Sequence, residues 1–219
     1  MRWRSISDKE GKVKLKKPIV IGLTGGIASG KTVVMNEFTE LGAMAIEADK
    51  ISRGIYLKGK PAYKKILKTF SESVLGPDRE IDRKKLGEIV FENPLKRRKL
   101  EKITHPEIMK EIKSQINKLS RENRLIIVDA PLLFEAKIQK MFEKTILVWA
   151  SEDIQLTRLV QRDNITLEEA KKRISSQIPI EKKKKMADFV IDNSGLMLET
   201  LAKAKLLYMN LFLKYSLKK

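Results

Sequence analysis

The feature that most constrains this chain is the run Gly25-Gly26-Ile27-Ala28-Ser29-Gly30-Lys31-Thr32, which satisfies G-x-x-x-x-G-K-[ST] in full. Its flanks make the run specific. Before it, Ile19–Leu23 is a short, apolar, β-branched stretch that reads as a buried strand stopped by a glycine turn. After it, Lys31–Leu41 places Val33, Val34, Phe38 and Leu41 at helical spacing, with Gly42 as the stop. A glycine-rich turn between a strand and a helix curls successive N–H groups into one concavity, and the helix N-terminus adds partial positive charge. Gly25, Gly26, Ile27, Ala28, Ser29, Gly30, Lys31, Thr32 and Val33 are therefore predicted to cradle the phosphates of a nucleoside triphosphate. In this setting Lys31 reaches the β- and γ-phosphates, and the Thr32 hydroxyl is a predicted ligand of Mg²⁺.

The rest of the chain supplies a sheet for that loop. Ala43–Ala48 reads as a second strand ending at Asp49, and Leu125–Val128, Lys144–Ala150 and Phe189–Ile191 as further strands. A charged helical stretch occupies Ser151–Gln177, and a helix with Leu196, Met197, Leu201, Leu206, Leu207 and Leu211 runs to the end. Short apolar strands alternating with helices predict an α/β fold with a parallel sheet covered on both faces. Between the second and third strands, Lys50 to about Glu122 is helical and strongly basic, broken at Gly59-Lys60-Pro61, Gly76-Pro77-Asp78, Asn93-Pro94 and His105-Pro106. It reads as a substrate-binding insertion.

In an open α/β sheet, ligands bind beyond the carboxyl ends of the strands. Asp49, at the predicted end of the second strand, is a candidate base for an attacking hydroxyl or a metal holder; the alternative is an N-cap of the next helix. Glu47 is a weaker candidate on the same side. Asp129 closes Leu125-Ile126-Ile127-Val128, where a carboxylate either serves Mg²⁺ or simply ends the strand. Arg158 and Arg162 lie four apart on one helix face, with Arg173 beyond. They either neutralise phosphoryl charge or form a solvated face. The run Lys182–Lys185 reads as solvated surface. His105 is a candidate substrate contact or a histidine at a helix start.

Composition narrows the classes. The 219 residues include no Cys and one His, which excludes disulfides, thiolate metal sites, a Cys nucleophile and multi-histidine centres. The net charge is +18, mostly from Lys, which attracts polyanions without naming one. A nucleic-acid-binding ATPase is one reading of that charge, but aromatics are 6% and do not interleave with the basic runs. No specific nucleic-acid partner is expected. No stretch reaches the ~20 apolar residues of a membrane span. Residues 1–17 are polar and basic, without the apolar core of a signal peptide, so a soluble cytoplasmic protein with no membrane partner is expected.

From Ile19 to Gly195 the chain resembles the dephospho-coenzyme A kinases. The resemblance rests on Gly22-Leu23-Thr24-Gly25-Gly26-Ile27, Leu41-Gly42-Ala43 with Ala48-Asp49, and Ile103-Thr104-His105-Pro106. It continues through Asp129-Ala130-Pro131-Leu132-Leu133-Phe134-Glu135, Gln155 with Arg158 and Arg162-Asp163, and Ala187-Asp188-Phe189-Val190-Ile191-Asp192-Asn193-Ser194-Gly195. It implies a P-loop kinase-type sheet with a helical coenzyme A-binding insertion and a lid. The core would be residues 18–49 and 123–219, the lid about 162–178, the insertion 50–122, and residues 1–17 a basic extension. It also implies ATP-dependent phosphorylation of the ribose 3′-hydroxyl of dephospho-coenzyme A. Asp49 matches the family's base, Arg158 and Arg162 its ATP-serving arginines, and Asn193 a segment near the adenine. Ala28 stands where the family usually has Gly, Thr32 replaces the commoner Ser, and Glu47 replaces Asp. Another small P-loop kinase, acting on a nucleoside monophosphate, shares everything up to Asp49.

Overall fold

The computed structural model describes residues 18–91, 93–122 and 124–217; the basic extension 1–17 lies outside them. Strand β1 (Ile19–Gly25) leads to helix α1 (Lys31–Glu40) and strand β2 (Met44–Glu47). Helices α2 (Ala48–Gly54), α3 (Pro61–Phe70), α4 (Arg83–Phe91) and α5 (Pro94–Leu119) follow, before strands β3 (Leu125–Asp129) and β4 (Lys144–Trp149). Helices α6 (Glu152–Asp163), α7 (Leu167–Ser175) and α8 (Ile180–Met186) precede β5 (Phe189–Asp192), and α9 (Met197–Leu217) ends the fold.

The strands form one sheet in the order β2-β3-β1-β4-β5. The pairs β1–β3, β1–β4 and β4–β5 are parallel, with Leu23 opposite Asp129, Gly25 opposite Val148 and Trp149 opposite Asp192. β1 is thus central, and its loop opens above the carboxyl ends of both neighbours. Alternation along the strands directs Ile19, Ile21, Leu23, Leu125, Ile127, Ile146, Val148 and Ile191 to one face. There they meet Val34, Met35 and Phe38 of α1 and Ala204 and Leu211 of α9. Gly22 points the other way, and a Cβ there would crowd Leu133 and Phe142, so only the smallest residue fits beneath them.

The chain divides into two compact units, residues 18–46 with 116–217, and Glu47–Gln115. In the second, Pro61 opens α3, whose Ala62, Tyr63 and Ile66 are buried, and the Tyr63 hydroxyl donates to the Arg79 carbonyl at 2.7 Å. A bridge between Leu75 and Ile81 closes the turn predicted at Gly76-Pro77-Asp78.

Three readings of the sequence are corrected here. His105-Pro106 does not break a helix: α5 runs through Pro106, and His105 lies exposed in mid-helix rather than at a start. Proline removes one intrahelical bond, a small loss in a helix of 26 residues. The second strand ends at Glu47, which is also the N-cap of α2, so Asp49 sits in the first turn of that helix and not at a strand end. The lysine run of α8 is not all solvated: Lys183 is fully buried.

Candidate active site

The glycine loop has the geometry its sequence asks for. Gly30 is the N-cap of α1 with φ 86° and ψ 23°, a left-handed conformation natural to glycine. A Cβ on Gly30 would overlap Nδ2 of Asn193, and one on Gly26 would overlap Oε1 of Gln155. Both positions therefore need glycine for space, and Gly30 for conformation too. Ala28 also has a positive φ, 56°, within the small left-handed region that a non-glycine residue enters at a cost of about 1–2 kcal/mol. Ile27 and Ala28 pack on the small core of Leu156, Leu159 and Ala170 from α6 and α7, which braces the outer side of the loop.

Lys31 begins α1, and its Nζ bonds Oδ1 of Asp129 at the end of β3. Both side chains are largely covered, 15% and 18% exposed. Thr32 lies exposed in the first helical turn. The structure thus brings the predicted phosphate-binding lysine and the strand-end aspartate together.

Arg158 also belongs to this constellation. Its Nη2 donates to the Asn193 carbonyl at 3.0 Å. Its Nη1 is buried, has no hydrogen-bond partner among the described residues, and lies 3.8 Å from where a Cβ of Gly30 would be. The hydroxyl of Ser29 is likewise buried and without a partner there. Buried polar groups are normally hydrogen-bonded, so donors left open at a glycine loop fit an anionic ligand. Asn193 is 5% exposed, its Nδ2 donates to the Ser29 carbonyl at 2.8 Å, and its Oδ1 accepts from Thr200 at 2.7 Å. Its side chain faces the loop backbone and α9.

Arg162 and Arg173 both engage Asp163, at 2.7 and 2.6 Å. The hydrogen bond from Arg162, reinforced by Arg173, holds the Asp163 carboxyl below its ordinary value. Asp192 is also lowered: burial pushes it up, but the Ser194 N–H and hydroxyl, with Lys203 and Lys184, outweigh that. Sequence reasoning missed Gln155 as a wall of the loop, Thr200 as a partner of Asn193, and Lys183. The Lys183 Nζ reaches Oε1 of Glu135 at 2.7 Å, and the same oxygen accepts the Ile178 N–H at 3.1 Å. A signal existed for Lys183, since it lies three residues after buried Ile180 on one face of α8. Thr200 has no such signal.

In the second unit, Asp49 and His105 are both exposed, and Glu47 pairs with Lys50 at 2.7 Å. Among the described residues no three carboxylates, histidines or cysteines gather into a protein-only metal cage. The oxygen donors Thr32 and Asp129 suit Mg²⁺, which commonly takes one or two protein ligands and completes its shell with phosphate and water.

A parallel sheet whose central strand feeds a glycine loop, with a lysine, an aspartate and an arginine around it, defines a P-loop kinase. Residues 19–199 match the family model described as dephospho-CoA kinase. The dephospho-CoA kinase of Carboxydothermus hydrogenoformans is 48% identical over 177 residues, 80% of this chain and 86% of the relative. That of Bacillus anthracis is 46% identical over 183 residues, 83% of this chain and 92% of the relative. The solved dephospho-CoA kinase from Campylobacter jejuni superimposes with a TM-score of 0.71 at 35% identity, covering 90% of this chain and 98% of that one. The chain belongs to the dephospho-CoA kinase family, the ATP-dependent transferases of the last step of coenzyme A synthesis.

Proposed function

We propose that the chain transfers the γ-phosphoryl group of ATP to the ribose 3′-hydroxyl of dephospho-coenzyme A through a definite division of roles. The loop Gly25–Thr32, continued by Val33, holds the phosphates through backbone N–H groups. Lys31 moves its charge from Asp129 onto the β- and γ-phosphates. Arg158, anchored by one nitrogen, offers the other to the phosphates, and Arg162 adds charge once Asp163 shares it. Charge spread over the equatorial oxygens is what these cations stabilise. Mg²⁺, when bound, screens the phosphate oxygens; the Thr32 hydroxyl and Asp129 are the groups that would hold it.

Asp49 accepts the proton of the 3′-hydroxyl. As it does, the ribose oxygen bonds to the γ-phosphorus, the bond to the β–γ bridging oxygen breaks, and ADP leaves. The helical insertion binds the acceptor, with His105 as a contact, and residues about 162–178 act as the lid. The dephospho-coenzyme A pyrophosphate suits a basic insertion. Among the described residues no helix is long and apolar enough to cross a membrane. The reaction belongs to the cytoplasm in this reading, and a chain without Cys suits that reducing compartment.

The observation that carries the phosphate side is the Arg158 nitrogen beside Gly30, without a partner among the described residues, above a loop whose lysine is already at the strand ends. The test is ADP release from ATP and Mg²⁺ with dephospho-coenzyme A, beside AMP, pantothenate and single-stranded DNA. Release with dephospho-coenzyme A alone, with coenzyme A confirmed by mass, is expected. Asp49→Asn should retain ATP binding and lose most turnover, about 10²-fold or more for a lost general base. Full turnover in that variant would remove Asp49 as the base.

A further inference from the structure

The phosphate loop is held from behind by two side chains, Asn193 and Thr200. Asn193 follows β5, and its own N–H is fixed to the Trp149 carbonyl at 2.8 Å. Its side-chain Nδ2 donates to the Ser29 carbonyl at 2.8 Å, and its Oδ1 accepts from Thr200 at 2.7 Å. Thr200 is fully buried near the start of α9.

Peptide geometry makes this more than packing. In a planar trans peptide the C=O of one residue and the N–H of the next point in opposite directions. The Ser29 carbonyl is turned toward Asn193, so the Gly30 N–H is turned to the other side, into the concavity of the loop. If that peptide flipped, a carbonyl oxygen would face the phosphate in place of a donor. Asn193 prevents the flip, and its main-chain carbonyl also holds Nη2 of Arg158 at 3.0 Å. One residue therefore sets both a backbone donor and a cation.

An asparagine amide has two orientations of nearly equal shape, with oxygen and nitrogen exchanged. The Ser29 carbonyl can only accept, so it requires nitrogen on its side. That leaves Oδ1 buried and in need of a donor, which the Thr200 hydroxyl supplies. Without the hydroxyl, Oδ1 is a buried acceptor with its partner removed, an unfavourable state that rotation of the amide relieves at the expense of Ser29.

We propose that Thr200, acting through the Asn193 amide, is a positioning residue for the ATP phosphates. It keeps the Gly30 N–H and the Arg158 guanidinium aimed into the loop. This rests on the nucleotide-site reading above and adds to it a residue on α9 that touches no substrate.

The test compares Thr200→Val, which keeps shape and loses the hydroxyl, with Thr200→Ser, which keeps the hydroxyl. KM for ATP, KM for dephospho-coenzyme A and kcat are read together with Tm. Thr200→Val should raise KM for ATP about tenfold, roughly one buried hydrogen bond's worth, with KM for dephospho-coenzyme A unchanged; Thr200→Ser should recover the ATP value. A fall in Tm with KM for ATP within twofold of the parent would overturn the proposal, as would an equal rise in both KM values or no recovery in Thr200→Ser. If Thr200→Val does not fold, Asn193→Asp reads the same link, because it keeps an acceptor for Thr200 and removes the donor to Ser29. Unchanged ATP affinity there overturns the proposal equally. Lys31→Ala separates the two levels: if it leaves ATP affinity intact, the nucleotide site itself is misplaced, whereas weakened ATP binding there beside a silent Thr200→Val rejects only the positioning role.

Discussion

At the scale of single residues, two positions of the loop share a sign of φ and have opposite expected outcomes. Gly30 combines φ 86° with an amide where its Cβ would be. Gly30→Ala should cost about 2 kcal/mol or more, from the left-handed backbone and from displacing Asn193, and should weaken ATP binding together with stability. Ala28 already accepts φ 56°. Ala28→Gly relieves that strain and adds unfolded-state freedom, terms of similar size and opposite sign. Urea unfolding should place Ala28→Gly within about 0.5 kcal/mol of the parent and Gly30→Ala far below it. Equal effects would mean that space around Asn193 does not limit residue 30. The departure from family pattern at Ala28 is thus a local conformational cost, while the retained glycine is structural necessity.

At the scale of elements, the strand–loop–helix unit was legible because each part carries its own signal: β-branched residues for β1, the glycine spacing, and Val34 and Phe38 for α1. Strand ends were readable to within a residue or two for the same reason. The junctions were not. A Pro within α5 reads as a stop, since a local rule cannot see that the flanking turns sustain the helix. A lysine run reads as solvated, because charge dominates its composition and burial depends on a partner 48 positions away, Glu135 beside Lys183. That pair ties the segment after β3 to the start of α8, and Glu135 also receives the Ile178 N–H. Removing one partner of a buried ion pair strands the other charge, at about 3–5 kcal/mol. Lys183→Met and Glu135→Leu should each cost that much in urea unfolding. The double variant should recover most of it, because an apolar pair of similar volume avoids the desolvation of both charges. Additive losses would show that the two side chains do not act as a pair.

At the scale of the whole molecule, acid sensitivity follows from four carboxyls. Asp163, Glu169, Asp188 and Asp192 are all held below their ordinary values, and all lie in the unit of residues 18–46 and 116–217. For Asp188 burial pushes upward, but Lys144 at 2.5 Å and the Thr145 N–H and hydroxyl, each at 2.9 Å, outweigh it and tie β4 to the start of β5. For Glu169 the cause is the capping box with Thr166 at the start of α7. Each folded value lies below the unfolded one, so this stabilisation is complete above the unfolded carboxyl value of about 4. It drains as pH falls through the folded values. All four of these carboxylates stabilise the nucleotide unit, so acid should weaken that unit first. The chain has two tryptophans, Trp3 and Trp149, and Trp149 ends β4 beside Asp192. In a Trp3→Phe background, the emission of Trp149 should report unfolding at a higher pH than the helical far-UV signal, to which α2 through α5 contribute. Asp188→Asn, which keeps one acceptor but loses the charge, should lower stability at pH 7 and flatten the acid limb. Coincident transitions by both probes, with a limb unchanged in Asp188→Asn, would place the acid sensitivity in the general repulsion of a chain at +18 rather than in these four carboxylates.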